Sequence, residues 1–130
     1  MTKFDELKLK KQLKYVVYKL NDNKTEIVVE NDSSDDQEAT YDSFLERLPE
    51  KDCRWAVYDF DYHNAEGAPR NKIVLFAWSP EGSPIKSKMV YSSSKDALRR
   101  ALSGVGVEVQ GTDFDDVSHE SVLDKCLKGR

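Results

Sequence analysis

RWAVYDFDYHNAEGAPRNKIVLFAW, residues 54–78, contains two apolar runs, 54–62 and 72–78, on either side of the turn-rich HNAEGAP. In each run apolar side chains occupy both parities. Trp55 and Val57 stand against Ala56, Tyr58 and Phe60, and Ile73 and Leu75 against Val74 and Phe76. Successive side chains of a strand point to opposite faces, so a strand with one wet face would alternate apolar and polar residues. These runs predict neighbouring strands that are dry on both faces, which requires covering layers above and below the sheet.

The flanking sequence supplies those layers. Upstream, residues 15–18 (YVVY) and 25–29 (TEIVV) read as strands joined by the turn Asn21-Asp22-Asn23. FDELKL at 4–9 resembles the last turns of a helix. Residues 31–39 (NDSSDDQEA) read as an acidic loop, and a short helix over 41–48 stops at Pro49. Downstream, SPIKSKMVYSSSKDALRRALS at 83–103 reads as one long helix. Ser83 is its expected cap, Pro84 its first position and Gly104 its stop. A short strand over 105–109 and a last helix over 118–127, with Val122 and Leu123 inward, complete the chain. At 130 residues it is expected to form one α+β domain, a mixed sheet with helices on both faces.

At about 100° per residue, Val90, Tyr91, Ala97, Leu98, Ala101 and Leu102 gather on the core side of the long helix. The opposite side receives Ile85, Lys88, Met89, Ser92, Asp96, Arg99 and Arg100. A charged helix face is ordinarily a solvated one, but solvation does not call for Ile85 and Met89. Basic groups around an exposed apolar centre suit a docking surface for an acidic macromolecule.

The net charge of −4 conceals segregation: residues 69–104 carry seven Lys/Arg against Glu81 and Asp96, a local +5, while 105–124 hold six carboxylates and no Lys or Arg. A basic patch on an acidic chain suggests an acidic partner at a defined site, not general coating of nucleic acid. Cys53 and Cys126 are too few for a disulfide framework or a zinc site, and Cys53 reads as a buried thiol. No stretch is long enough to span a membrane and no apolar signal core opens the chain, so a reduced cytosolic or nuclear setting is the expectation. His63 and His119 are isolated, and Gly104-Val105-Gly106 lacks the lysine of a phosphate loop. Asp59-Phe60-Asp61, with Asp115-Asp116 later, is the pattern of a Mg²⁺-dependent phosphatase. Too little chain follows Asp59 for the strand–helix units that chemistry needs, and the two acids read as exposed edge or strand-end groups. No metal, cofactor or catalytic residue is expected.

KTEIVV from Lys24, WAVYDFDY from Trp55, KIVLFAWSP from Lys72, KSKMVYSSSKDALRRAL from Lys86 and GTDFDDVS from Gly111 together resemble the actin-depolymerising factor/cofilin family, its fungal members most of all. The resemblance runs in order through nearly the whole chain. It implies a mostly antiparallel mixed sheet sandwiched by helices, and a protein that is not an enzyme. Such proteins bind ADP-bound actin monomers and filament sides, sever filaments and speed subunit loss, in the cytoplasm and also the nucleus.

Carried over residue by residue, the resemblance implies actin contacts at Lys86, Lys88, Met89, Ser92, Arg99 and Arg100. It implies a filament-specific surface at Arg70, Lys72, Asp124, Lys125 and Lys128. Acidic phosphoinositides would share Lys86, Lys88, Arg99 and Arg100, and nothing requires more than a monomer. Lys125 and Lys128 replace arginines of many fungal relatives, exchanging a bidentate fork for a point charge. Family members usually begin further upstream, with a tail bearing a regulatory serine, so the sequence given is expected to be a shortened form. Thr2 does not inherit that role, and monomer binding is then a safer expectation than severing. Coactosin-like and glia-maturation-factor-like proteins, which bind without severing, are the nearest alternatives; twinfilins are longer.

Overall fold

The two doubly apolar runs form the middle of a five-stranded sheet in the computed structural model, which describes residues 14–20, 27–33, 40–102 and 105–128. The strands are β1 (Tyr15–Leu20), β2 (Ile27–Asp32), β3 (Arg54–His63), β4 (Pro69–Trp78) and β5 (Val107–Gly111). The helices are α1 (Tyr41–Leu45), α2 (Ile85–Ala101) and α3 (His119–Lys128). The spatial order is β2-β1-β3-β4-β5. Pairs β1–β2, β1–β3 and β3–β4 are antiparallel, whereas β4 and β5, separated by α2, run parallel. The expected helices-and-mixed-sheet fold is the one observed.

Both faces of the sheet are dry. On one, Tyr15, Val17, Tyr58, Phe60, Val74, Phe76 and Trp78 pack with Tyr41 and Phe44 of α1 and Val122 and Cys126 of α3. Aromatic rings meet there mostly at tilted or edge-on angles, Phe44 lying 5.1 Å from both Tyr58 and Phe76, while Tyr15 and Tyr58 lie nearly parallel at 6.3 Å. On the other face Val16, Tyr18, Trp55, Val57, Ile73 and Leu75 pack with Tyr91, Leu98 and Leu102 of the α2 side. The alternation along β3 and β4 therefore sorts two apolar sets into two cores, as the unbroken runs require.

Several local expectations are corrected. β2 continues through Asn31 and Asp32, residues read as loop, because a bulge between Val17 and Tyr18 lets them pair with Val17 and Val16. The β3–β4 hairpin extends to His63 and Pro69. Its loop is closed by Asn64, whose Oδ1 accepts from the N–H of Glu66 and Ala68, with Gly67 at φ 83°. Ser83 does not cap α2: its hydroxyl donates to the Pro80 carbonyl at 2.5 Å, and Pro84, at φ −61° and ψ 145°, takes the cap position. β5 begins at Val107, later than expected.

Asp59 is buried, at 5% exposure, because β3 is central and Asp59 sits opposite Ile73; its Oδ1 accepts from Asn71 Nδ2 at 2.8 Å. Only Asp61 of that pair is exposed, and it holds Lys14 Nζ at 2.6 Å. Among the described residues no group of three or more His, Cys, Asp or Glu is arranged to hold a metal ion. Both thiols are buried, and both histidines are exposed. The expected N-terminal helix end, the turn 21–23, most of the acidic loop and the stop at Gly104 lie outside the described residues.

Candidate functional site

α2 is oriented by a narrow inward stripe. Ser87, Tyr91, Leu98 and Leu102 are buried, spaced by four, seven and four residues, so they share one side of a helix. The Tyr91 ring lies 4.1 Å from that of Trp55, and its hydroxyl accepts the Leu20 N–H at 3.0 Å. These contacts fix the rotation of α2 about its axis. The opposite side must then face outward, and it does: Ile85 is 75% and Met89 67% exposed.

Along the same outer side of α2 Lys86, Ser92, Asp96, Arg99 and Arg100 are exposed. Lys88 is half-buried, its Nζ donating to the Glu81 carbonyl at 3.4 Å. Arg100 Nε donates to the Asp96 carbonyl at 3.4 Å. Arg99 and Arg100 stand in the last turn of α2, where the carbonyl end of the helix favours positive charge. The expected site residues of α2 thus share one continuous outer surface, with Lys88 drawn toward its edge.

Two participants were not singled out in the sequence. Glu108 of β5 accepts Lys95 Nζ at 2.6 Å on Oε1 and Arg99 Nη1 on Oε2. Burial pushes the Glu108 carboxyl up, but the hydrogen bonds and positive charge of Lys95 and Arg99 outweigh it and hold the group below the usual Glu range. The one available signal was a lone carboxylate inside the apolar run VEV. A cleft of about 440 Å³ lies between α2 and the sheet, lined by Arg54, Trp55, Tyr91, Ser92, Lys95 and Thr112 among others. Its cations are engaged, Arg54 with Glu30 and Asp52 and Lys95 with Glu108.

The second expected surface is on the other face of the sheet. Lys72 and Arg70 share parity with Val74 and Phe76, the side that packs against α3. Lys72 Nζ donates to the Cys126 carbonyl at 3.0 Å, satisfying an acceptor near the end of α3. Arg70 is exposed, with Nη1 on its neighbour's Pro69 carbonyl. On α3, Asp124 and Lys128 form an i,i+4 pair at 3.1 Å, and Lys125 is exposed. Lys72 therefore ties β4 to α3, a role its sequence position did not disclose.

The profile of a family described as "Cofilin/tropomyosin-type actin-binding protein" matches residues 1–127. The chain is 60% identical over 125 residues to cofilin of Schizosaccharomyces pombe, spanning 96% of this chain and 88% of that one. It is 55% identical over 130 residues to cofilin of Saccharomyces cerevisiae, spanning 99% and 89%. Its fold superposes on the crystal structure of Streptomyces griseoflavus cofilin with a TM-score of 0.90 at 50% identity, covering 99% and 93% of the two chains.

Proposed function

This chain belongs to the cofilin and actin-depolymerising-factor family, and from that premise we propose that it binds actin monomers and filament sides and promotes filament severing and depolymerisation. The observation that carries this reading is the exposed Ile85–Met89 pair, with Lys86 and Lys88 beside it and Arg99 and Arg100 further along the same helix. An apolar wedge with a basic rim fits a cleft between two lobes of an acidic protein, the wedge displacing water and the rim meeting carboxylates.

Binding energy alone performs the task, and no catalytic group is needed. A protein that prefers one twist of the filament shifts the subunits toward that twist. Strain at the boundary between bound and bare segments then favours breakage. Contact with a filament needs two neighbouring subunits, and two surfaces on opposite faces of the sheet suit that geometry. Lys86, Lys88, Met89, Ser92, Arg99 and Arg100 would meet one subunit; Arg70, Lys72, Asp124, Lys125 and Lys128 would meet the next. ADP-bound actin is the preferred form, and acidic phosphoinositides compete for the basic rim of α2. The site of action is the cytoplasmic actin cytoskeleton, with a nuclear pool.

Co-sedimentation with filaments, paired with microscopy of filament breakage, tests the reading. Arg99→Ala with Arg100→Ala is expected to weaken monomer and filament binding together. Exposed ion pairs contribute about 0–1 kcal/mol each, so the double variant should lose up to about 1–2 kcal/mol, roughly 5- to 30-fold. Arg70→Ala with Lys125→Ala should weaken filament binding alone; Lys72 is left intact because it holds α3. Filament binding without added breaks would defeat severing and leave a binding-only protein. Equal losses of both activities in both double variants would defeat the two-surface division.

A further inference from the structure

We propose that Glu108 of β5 is a positioning residue for actin binding, holding the Arg99 guanidinium at the rim of α2 where it meets an actin carboxylate. The inference rests on the reading of α2 as the actin-facing helix. Three observations lead to it. Val107 and Val109 pack on the α3 side of the sheet, so Glu108 between them turns to the α2 side. Lys95 and Arg99 are four residues apart on α2 and share one helix edge. Glu108 accepts from both, one on each carboxylate oxygen.

The two cations differ in what they keep. Lys95 retains 26% side-chain exposure, whereas Arg99 retains 50%. Lys95 is mostly committed to Glu108, but Arg99 uses one amino group there and presents the rest of its fork to solvent. A guanidinium has five N–H donors, so a tethered arginine can still receive an incoming carboxylate. Tethering removes rotamer freedom at folding that would otherwise be lost at docking.

Glu108 also neutralises positive charge on a face meant for an acidic partner. The two effects have opposite signs. If charge dominates, removing the carboxylate strengthens binding; if positioning dominates, removal weakens it although the face becomes more positive.

The test is a double-mutant cycle of monomer Kd over the full chain, Glu108→Gln, Arg99→Ala and the double variant, with urea midpoints measured alongside. Glu108→Gln is expected to weaken binding roughly two- to fivefold, no more than Arg99→Ala, the residue through which it acts. In the Arg99→Ala background it should cause little further loss, because its effect passes through Arg99. A merely structural role would cost the same factor in both backgrounds and would overturn the proposal, as would unchanged or tighter binding by Glu108→Gln. Arg99→Ala with full affinity would overturn the reading of α2 and this inference with it. Weak binding by Arg99→Ala with an additive Glu108→Gln effect would overturn the positioning role alone. Should Glu108→Gln not fold, Glu108→Asp, which keeps the charge but shortens the reach to two cations, is expected to show the same coupling to Arg99.

Discussion

Burial pushes the Tyr58 phenol up to about 12, with the negative charge of Asp61 and Asp59 adding to the effect. Tyr41, whose hydroxyl donates to the Val117 carbonyl at 2.5 Å, is raised further for the same first reason. Both values lie above the ordinary 10.0, so the associated stability is complete below pH 10 and is lost as pH rises toward the folded value. The urea midpoint is therefore expected to fall from pH 10 toward 12, and Tyr58→Phe should make that fall shallower. An unchanged slope in the variant would place the alkaline sensitivity elsewhere. At this scale the sequence reveals what depends on period and composition. Ile85 and Met89 were readable as outward because helix rotation follows from Tyr91, Leu98 and Leu102. The engagement of Glu108, Lys72 and Asp59 was not readable, because each depends on a partner at least nine residues away: Arg99, Cys126 and Asn71.

Among the elements, β5 and the turn after it show how a short strand is held at a sheet edge. Gly111 lies opposite Trp78 in the parallel pair and ends the strand. A Cβ there would come within 2.7 Å of Val117 Cγ1 and 3.0 Å of Trp78 Cε3, which real packing does not permit. Gly111→Ala is thus expected to cost about 1–3 kcal/mol, as overpacking of a filled core does, read as a lower urea midpoint. A wild-type midpoint would mean that Val117 moves aside freely. The helices and strands were legible as elements, their ends less so. β3 and β4 lengthen each other because every added pair satisfies two backbones. α2 lacks the expected Ser83 cap because the turn from Pro80 directs that hydroxyl to donate to the Pro80 carbonyl, and Pro84 stands at the cap position.

Across the whole molecule, the sheet separates the two candidate surfaces. The α2 rim belongs to one face, while Arg70, Lys72 and α3 belong to the other. Ile85→Ser with Met89→Ser is expected to reduce monomer and filament binding at least tenfold, while the urea midpoint stays near wild type. Apolar contact contributes roughly 25 cal/mol per Å² buried at an interface core, and these side chains bury little in the free protein. Loss of stability in step with loss of binding would mean that the pair supports the fold instead. The sequence by itself determined the layered α+β class, the two dry faces of the central strands and the outward set of α2. Those follow from local periodicity, which a chain carries wherever it folds. Only the tertiary structure decided that Asp59 is buried, that Lys72 closes the end of α3, and that Glu108 grips Arg99. Each of these requires distant segments to meet, and the side chain's charge then takes its role from the neighbour that folding supplies.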